Sequence, residues 1–490
     1  MQMPQLLAAM ILLPLIGGIF LSLIPSKLSS WVRPAAIVLS GLLLIMSAWT
    51  WLRFDSGVPG MQFVFKMPWI PGMGTAFHLG VDGLSLPMVF LTALLSLVAV
   101  IASRSIKDRV GQYFTLILML EAGLIGVFIS LDLILFYLFW EVVLIPMYFL
   151  ISIWGGPNRS YAAVKFFVYT LAGSLAMLGG IIALYLATGA RTFDMLEMAV
   201  IAAKLPQGVQ LAIFIAIAVG LAVKVPIWPL HTWLPDAHVE APTAVSVLLA
   251  GVLLKMGAYG FLRLGPQLLP AGFKAVAPVL AVLAVISIVY GAAVALVQTD
   301  LKRLVAYSSV SHMGYVMLGI AAGTAAGVTG AMVQMFSHGL IAGLLFLLVG
   351  AVYERAHTRE MSAFGGIAKI TPILAGTLVF ASFASLGLPG MSGFIGEFWV
   401  LAGSFGPYWI ATVIAAFAVI LTVGYLLWML RRVTFGPLNE ARLGMPDMNG
   451  TEALSMVPLC ALILVIGIFP QTLVGVMQVS AEVISRLVAR

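Results

Sequence analysis

Six ionisable side chains lie inside long apolar stretches of this 490-residue sequence. They are Glu141 in "LFWEVVL", Lys224 in "GLAVKVPIW", Lys255 in "GVLLKMGAYG", His312 in "SVSHMGYV", His338 in "QMFSHGLIAG" and Glu397 in "GFIGEFWV". A charge in the middle of a lipid-embedded helix costs at least a few kcal/mol, so such residues are functional candidates by default. Carboxylate, ammonium and imidazole groups all bind and release protons, and the set therefore predicts a proton relay. The alternative is that these groups form structural ion pairs that hold helices together.

Two of these groups have opposite charge and can control each other. If Glu141 and Lys224 face each other at about 6 Å, with an effective dielectric constant near 20, their attraction is roughly 3 kcal/mol. Burial already disfavours the charged form of a lysine, so moving or neutralising the glutamate would favour release of the lysine's proton. Glu141 is therefore predicted to switch Lys224. The remaining two histidines, lysine and glutamate would form the next steps through intervening water.

Other polar residues give weaker signals. Asp236, His238 and Glu240 follow the prolines of "KVPIWPLHTWLPDAH" and are predicted to lie in a cytoplasmic loop, either as solvated residues or as a proton-uptake cluster. Glu121 is predicted to be an acid at a helix interface, with a role in the relay as the alternative. Lys165 is predicted to extend its ammonium to the cytoplasmic membrane surface.

The composition defines a polytopic membrane protein, because 62% of the residues are hydrophobic and only 9% are charged, against about 25% in soluble domains. The net charge of +7 comes with no dense basic cluster, so no nucleic-acid partner is expected. Cys460 is the single cysteine, which excludes disulfides and cysteine-ligated clusters within the chain. With no phosphate-binding or dinucleotide motif either, we expect no cofactor in this chain, so any energy must come from a partner or from another ion gradient.

An all-α fold of about fourteen transmembrane helices follows from the apolar runs, since each span needs about 20 apolar residues. The predicted spans are 5–24, 33–52, 80–102, 112–130, 131–153, 163–187, 208–230, 243–264, 275–297, 301–321, 328–352, 370–404, 408–430 and 454–475. Fifteen of the 25 lysines and arginines lie in loops after odd-numbered spans, against six after even-numbered spans. The positive-inside rule then places the odd loops in the cytoplasm and both termini outside.

Weak internal similarity predicts two repeats. "DLILFYLFWEVV" from Asp132 matches "DLKRLVAYSSVS" from Asp300, and the seventh and twelfth spans are both interrupted by proline or glycine, near Pro226 and near 389–393. Five spans per unit invert the second unit in the membrane, which is a transporter signature. The predicted divisions are a three-helix segment (1–110), a first five-helix repeat (111–265), a second repeat (266–432) and a C-terminal helix with a tail (433–490).

Four stretches carry a family resemblance: "LFWEVVLIPMYFLISIWGG", "VKVPIWPLHTWLPDAHVEAPTAVSVLLAGVLLKMGAYG", "QTDLKRLVAYSSVSHMGYVMLGI" and "LPGMSGFIGEF". They resemble the antiporter-like subunits of bacterial proton-translocating NADH:quinone oxidoreductase, respiratory complex I, over essentially the whole chain. The resemblance implies that Glu141 and Lys224 are the family's coupled pair, Lys255 its central lysine, His312 and His338 its bridging histidines, and Glu397 its terminal acid.

The resemblance also implies a context. The related L and N subunits typically carry a lysine at the position of Glu397, and L continues into a long lateral helix, so both features favour the M group. Other L-, N- and K-like membrane subunits and lipids would be the partners, in a bacterial inner membrane. NADH, FMN, iron–sulfur clusters and quinone would belong to partner subunits. The alternatives are a multisubunit cation/proton antiporter, the photosynthetic ferredoxin-driven homologue, or a purely structural membrane-arm subunit.

Overall fold

The N-terminal part of the chain combines three helices with a β-hairpin. The computed structural model describes residues 5–489. The first elements are α1 (Gln5–Ser22), α2 (Val32–Arg53), the antiparallel strands β1 (Gln62–Ile70) and β2 (Thr75–Val81), and α3 (Leu86–Ala102). The hairpin turns at Gly74, which has φ +67° and on which a Cβ would lie 2.1 Å from the carbonyl oxygen of Arg191. Only glycine fits both restrictions.

The hairpin is fastened to the following helices by a charged cluster. Lys66 and His78 are paired across the strands and so point to one face. Lys66 Nζ lies 2.7 Å and His78 Nδ1 lies 2.8 Å from Asp194 Oδ2, and Lys66 also contacts the exposed Glu197 at 3.0 Å. Burial alone would raise the pKa of Asp194, but His78 and Lys66 beside it hold that pKa below its usual range.

The first predicted repeat is built of two interrupted spans and three continuous or nearly continuous ones. Its elements are α4 (Val110–Ile129), α5 (Leu133–Val142), α6 (Leu144–Trp154), α7 (Arg159–Ala187), the short α8 (Met195–Ala202), α9 (Gln207–Lys224), α10 (Trp233–Glu240), α11 (Thr243–Leu248), a π turn (Leu249–Leu253) and α12 (Leu254–Leu264). The π turn inside the eighth span was not predicted. Such turns are rare and often mark functional sites.

The second predicted repeat and the C-terminal region are also helical. They comprise α13 (Pro270–Leu296), α14 (Leu301–Ala322), α15 (Ala325–Ala356), α16 (Pro372–Ser385), α17 (Ser392–Phe405), α18 (Trp409–Val433), α19 (Gly450–Ile468) and α20 (Gln471–Ala489). The predicted C-terminal tail is therefore a helix. Leu473, Met477 and Ile484 of α20 are buried, whereas Gln478, Glu482 and Arg486 share another face, so α20 is amphipathic.

Fourteen helices within the described residues are long and apolar enough to cross a membrane, which confirms a polytopic all-α membrane fold. The set differs from the prediction at one place. The twelfth predicted span is two 14-residue helices, α16 and α17, neither of which is long enough alone, and α20 takes its place in the count. Because α16 and α17 together cover the predicted range of 370–404, the interrupted span itself was correctly predicted.

Both predicted helix interruptions are present, at 225–232 between α9 and α10 and at 386–391 between α16 and α17. In the first, the backbone N–H of Trp228 donates to Ser287 Oγ at 2.9 Å. In the second, Gly387 and Gly390 have φ of +81° and +91°. The Ser287 hydroxyl thus satisfies a backbone N–H group that lipid could not, and the glycines allow the left-handed backbone of the second interruption.

Helix caps support the predicted repeat. Asp132 accepts the N–H groups of Ile134 and Leu135 at the start of α5, and Asp300 accepts those of Lys302 and Arg303 at the start of α14. Each aspartate also pairs its backbone with a residue about sixty positions later, Asp132 with Asp194 and Asp300 with Glu360. Matching caps and bridges at matching positions are expected of two related units. The boundaries of those units stay a prediction.

The most deeply placed helices carry the candidate residues. The spans Thr243–Leu264 and Ala325–Ala356 are buried along their whole apolar length, and Leu301–Ala322 is 94% buried. These three hold Lys255, His338 and His312. By contrast, the spans of α1, α2, α18 and α19 are at most one-third buried and form the outer surface. The fold therefore keeps the candidate residues away from lipid.

Candidate proton-transfer site

Four of the six predicted relay residues form one connected chain in the centre of the bundle. Lys255 Nζ lies 2.7 Å from His338 Nδ1, and His312 Nδ1 lies 2.8 Å from Glu397 Oε1. The two imidazole rings are 5.7 Å apart between centroids and complete the line. The four residues come from α12, α15, α14 and α17, so only the tertiary fold brings them together. All four are buried.

Donor and acceptor rules link the proton positions along this chain. If Lys255 is charged, its ammonium can only donate, so Nδ1 of His338 accepts and the ring proton lies on Nε2. A carboxylate can only accept, so Nδ1 of His312 donates to Glu397. The other nitrogen of His312 faces Ser385 Oγ at 3.2 Å, and this hydroxyl can either donate or accept. Lys255 and His338, and likewise His312 and Glu397, can therefore exchange a proton within each pair. No hydrogen bond joins the two pairs, because His338 Nε2 has no partner among the described residues.

The π turn prepares the lysine end of the chain. The carbonyl oxygen of Ala250, inside that turn, accepts a second hydrogen bond from Lys255 Nζ. A π turn displaces the usual helical hydrogen-bond partners and so leaves a carbonyl group available. At the other end, Gln334 Nε2 donates to Glu397 Oε1 at 3.3 Å. Both ends of the chain are thus held by neutral polar groups.

The remaining two predicted residues, Glu141 and Lys224, do not form an ion pair. Lys224 Nζ and Glu141 Oε1 are both buried and have no hydrogen-bond partner among the described residues. The ammonium lies over two aromatic rings instead, 5.3 Å from the centroid of Trp140 and 5.9 Å from that of Phe166. Aromatic faces attract a desolvated cation. The predicted contact through one water molecule stays a prediction.

The structure corrects the position of the predicted uptake cluster, since Asp236, His238 and Glu240 do not lie in a loop. They belong to α10, the second half of the interrupted seventh span. Pro235 falls in the first turn of α10, where its missing N–H group costs no hydrogen bond, so this proline starts a helix instead of breaking one.

Within α10 the three residues separate. Asp236 binds Lys165 at 2.7 Å and lies 3.8 Å from Arg303. The ammonium of Lys165 pairs with Asp236 and both side chains are partly exposed, so the predicted extension of Lys165 to the membrane surface stays a prediction. His238 is fully buried and stacks on Phe346 with ring centroids 4.4 Å apart. Neither of its ring nitrogens has a partner among the described residues.

Two cations bind carbonyl oxygens at the C-terminal end of α10, and one of them, Lys302, was not predicted from the sequence. Lys302 Nζ donates to the carbonyl oxygen of Ala241, and Arg359 Nη1 donates to that of Val239 at 2.7 Å. Cations are favoured at helix C-termini, where carbonyl groups lack partners. Glu240 Oε2 accepts the backbone N–H of Asn158 at 2.9 Å. Lys302 was overlooked because a lysine beside a helix cap usually points to solvent, whereas here only 5% of it is exposed.

Two further buried charges lie outside the chain. Glu121 on α4 accepts from Ser40 Oγ at 2.9 Å, and this bond to α2 agrees with the predicted helix-interface acid. Arg263 on α12 binds Asp82 with both terminal nitrogens, at 2.8 and 2.9 Å, and donates to Tyr259 Oη at 3.1 Å. This pair also was missed, since nothing in the sequence links two positions 181 residues apart. Across residues 5–489 no group of three or more His, Cys, Asp or Glu could hold a metal ion.

Comparison with known proteins defines the class. Residues 130–422 match the family described as "NADH:quinone oxidoreductase/Mrp antiporter, TM". The chain is 44% identical to NADH-quinone oxidoreductase subunit M of Rhodobacter capsulatus, over 96% of this chain and 94% of that one. It is 43% identical to NAD(P)H-quinone oxidoreductase chain 4 1 of a Picosynechococcus strain, over 96% and 90%.

Solved structures agree. A chain of respiratory complex I from Thermus thermophilus superimposes with a TM-score of 0.90 at 32% identity, covering 98% of this chain and 99% of that chain. The chain therefore belongs to the antiporter-like membrane subunits of the NADH:quinone oxidoreductase/Mrp family, and within it to the subunit M type of NADH-quinone oxidoreductase. The resemblance noted in the sequence is thus confirmed. Such a chain is one part of a multi-subunit membrane assembly.

Proposed function

We propose that this chain moves protons across the membrane through the chain of contacts from Lys255 through His338 and His312 to Glu397. The single observation that carries the proposal is that four titratable groups from four helices form two hydrogen-bonded pairs inside an apolar bundle, with the two imidazole rings 5.7 Å apart between centroids. Structural ion pairs would need alternating charge. Here a lysine faces an imidazole and two imidazoles face each other, which suits transfer better than holding helices together.

The uptake side of the path runs through the end of α10. His238, with two unpartnered ring nitrogens, lies in the same half-helix as Glu240, whose carboxylate is held near the surface by Asn158. We infer that protons enter between Glu240, His238 and Lys302 and reach Lys255 through water. Asp236 pairs with Lys165 instead and takes no part in proton uptake.

The control of the path lies with Glu141 and Lys224. An ammonium held only by two aromatic faces gains strongly from any nearby carboxylate, so a shift of Glu141 towards or away from Lys224 changes its proton affinity. Such a shift is the local step that a neighbouring subunit could impose. Release would follow at Glu397, the terminal acid of the line.

The assembly around this chain belongs to the same proposal. The names of the relatives support a complex that oxidises NADH and reduces quinone. We infer that other subunits of this complex hold FMN and iron–sulfur clusters, and that L-, N- and K-like membrane subunits lie beside this chain. The bacterial relatives support an inner membrane, and the distribution of lysine and arginine supports both termini on the periplasmic side.

The experiment replaces one histidine of the chain. In His338→Asn the amide oxygen can still accept from Lys255, but the residue cannot carry a proton through its ring. NADH-driven acidification of inverted membrane vesicles, normalised to the amount of assembled complex, should fall at least about tenfold relative to the parent protein. The matched control is His357→Asn, at an exposed helix end with φ +54° that asparagine tolerates. Equal proton transfer by both variants would refute the proposal.

One observation favours a second candidate for the electron donor. The similarity to the Picosynechococcus chain, 43%, is about as high as that to the Rhodobacter subunit, 44%. We therefore keep the photosynthetic, ferredoxin-driven homologue as the alternative. Supplying the purified complex with either NADH or reduced ferredoxin separates the two. Proton transfer that depended on sodium and on neither donor would instead indicate a cation/proton antiporter.

A further inference from the structure

A surface cavity of about 460 Å³ lies between helices α2, α3 and α19, at one end of the bundle. Its walls are formed by Arg33, Ile37, Ile101, Arg104, Thr451 and Leu454. A smaller cavity of about 140 Å³ shares Ile101, Arg104 and Thr451 with it and continues between α3, α15 and α19. Neither cavity touches the six relay residues, so this site is separate from the proton path.

Arg33 is fixed at the edge of the larger cavity. Its Nη2 atom donates to three carbonyl oxygens at the end of α3, those of Ser103 at 3.1 Å and of Arg104 and Ile106 at 3.3 Å. Its guanidinium carbon lies 5.9 Å from the ring centroid of Phe114. Its buried Nε atom has no partner among the described residues. A guanidinium that is already held in place loses little entropy when it binds a further ligand.

The two arginines of the cavity are not neutralised. Among the described residues neither Arg33 nor Arg104 forms a salt bridge, although the two cations line one wall together. Of the nearby carboxylates, Glu452 is bound by both terminal nitrogens of Arg355, at 2.6 and 2.7 Å, which leaves Glu354 on the smaller cavity. The larger cavity therefore carries a net positive charge. Guanidinium groups bind phosphate oxygens with fitting geometry.

The other walls fit the rest of a lipid. Ile37 and Ile101 lie on the spans next to the arginines, and Leu454, which is 60% exposed, continues the apolar surface along α19. A small inorganic anion makes no favourable contact with this apolar surface, whereas the acyl chain of a phospholipid packs against it. Hydroxyl groups of Thr451 and Ser455 and the carboxylate of Glu354 line the smaller cavity and suit the hydroxyls of a polar headgroup.

We propose that this cavity is a binding site for an anionic glycerophospholipid. Its phosphodiester lies between Arg33 and Arg104, an acyl chain packs along Ile37, Ile101 and Leu454, and its headgroup extends into the smaller cavity. Basic pockets between transmembrane helices bind lipid headgroups in this way.

Native mass spectrometry tests the proposal. The purified complex is first delipidated, phosphatidylglycerol is then added, and the bound lipid is measured. Arg104→Gln removes one phosphate contact, and we expect the fraction of chains that carry the lipid to fall about tenfold. Ile101→Trp keeps both charges but fills the apolar wall and should lower the fraction as strongly. Arg431→Gln removes an exposed arginine outside the cavity and should leave it unchanged.

Two comparisons separate the sources of the phosphate. Phosphatidylethanolamine should bind more weakly than phosphatidylglycerol, and millimolar inorganic phosphate should not displace the lipid. Unchanged lipid binding in both Arg104→Gln and Ile101→Trp would overturn the proposal. Loss in Arg104→Gln with full binding in Ile101→Trp, together with displacement by phosphate, would also overturn it and show a free-anion site. Thermal unfolding of each variant confirms that the fold is intact.

Discussion

At the level of single residues, the two ends of the connected line have partners that are either neutral or oppositely charged. Lys255 contacts a carbonyl oxygen and an imidazole, and Glu397 contacts an imidazole and an amide. Buried polar groups are costly without such partners. The contacts that lower this cost also allow a proton to be exchanged within each hydrogen-bonded pair.

Glu397 should be replaceable by another titratable residue but not by a neutral one. Glutamine can accept the hydrogen bond from His312 but cannot hold a proton, so Glu397→Gln should lower proton transfer about tenfold or more. Lysine donates, and His312 can turn its acceptor nitrogen to it because Ser385 can accept from the other nitrogen. Glu397→Lys should therefore retain more activity. Vesicle acidification measures both, and the reverse order would make Glu397 a structural acid.

Glu141 and Lys224 should behave as one unit. Glu141→Gln keeps the shape and loses the charge, so we expect an assembled complex with proton-coupled turnover reduced at least about tenfold. Lys224→Ala should have a similar effect, and the double variant should be no worse than either, because the two groups are coupled. The control is Glu482→Gln on the exposed face of α20. Additive losses in the double variant would show that the pair does not act together.

The six candidate residues could be selected because a titratable group within an apolar run is visible in the sequence, and their role in proton transfer stays a prediction. The contacts between them could not be predicted. The bond from Lys255 to His338 joins positions 83 apart, and the bond from His312 to Glu397 joins positions 85 apart. Lys302 was missed for the opposite reason, since its place beside a helix cap resembles that of a solvated lysine. Only packing decides which cation is buried.

At the level of elements, the close approach of α15 to the π turn sets the distance between Lys255 and His338. A Cβ on Gly339 would lie 2.6 Å from Leu91 Cδ2 and 2.8 Å from the carbonyl oxygen of Gly251. The second neighbour is backbone and cannot move aside. A glycine at this position therefore allows the contact that the relay needs.

Gly339→Ala should push α15 away from the π turn. We expect a destabilisation of about 1–3 kcal/mol together with reduced proton transfer. The control is Gly376→Ala in α16, where nothing lies within 4 Å of the added Cβ. That change should be neutral or stabilise the helix by about 0.5–1 kcal/mol. Thermal unfolding and vesicle acidification check both variants, and equal stability of the two would contradict the argument.

The stabilisation by the charged cluster that fastens the hairpin should depend on pH in a defined direction. Because the pKa of Asp194 lies below its usual range, its stabilisation is present above the unfolded value of about 4 and is lost as the pH falls through the folded value. Asp194→Asn should therefore cost about 1.5–3 kcal/mol at pH 7 and progressively less below pH 4. Glu197→Gln, which removes an exposed partner of Lys66, should cost about 0–1 kcal/mol. Thermal unfolding across this pH range tests the difference.

The interruptions were predictable from proline and glycine, but the π turn was not. Pro226, Pro229 and the glycines of "GLPGMSG" indicate a change of backbone geometry from the sequence alone. Residues 249–253, "LAGVL", would suit an ordinary helix equally well. Tertiary contacts with α3 and α15 favour the wider π turn, and the local sequence does not indicate these contacts.

At the level of the whole molecule, the predicted topology places equivalent caps on opposite sides of the membrane. Asp132 begins a span that follows an even-numbered loop, and Asp300 begins one that follows an odd-numbered loop. In a variant without Cys460, Asp55→Cys should therefore react with an impermeant thiol reagent added outside, and Asp108→Cys only in inverted vesicles. Both positions are exposed. The opposite labelling pattern would reverse the orientation of the chain.

Three of the four connected residues lie near the middle of their spans, Lys255 in Thr243–Leu264, His338 in Ala325–Ala356 and His312 in Leu301–Ala322. The fourth, Glu397, is the sixth residue of α17, shortly after the interruption between α16 and α17. The line therefore runs along the plane of the membrane. A proton that moves along it crosses almost none of the transmembrane voltage, which is worth about 2.3 kcal/mol per 100 mV for a full crossing. The electrical work must be done in the steps that lead into this line and out of it, and the energy of lateral transfer itself depends little on the membrane voltage.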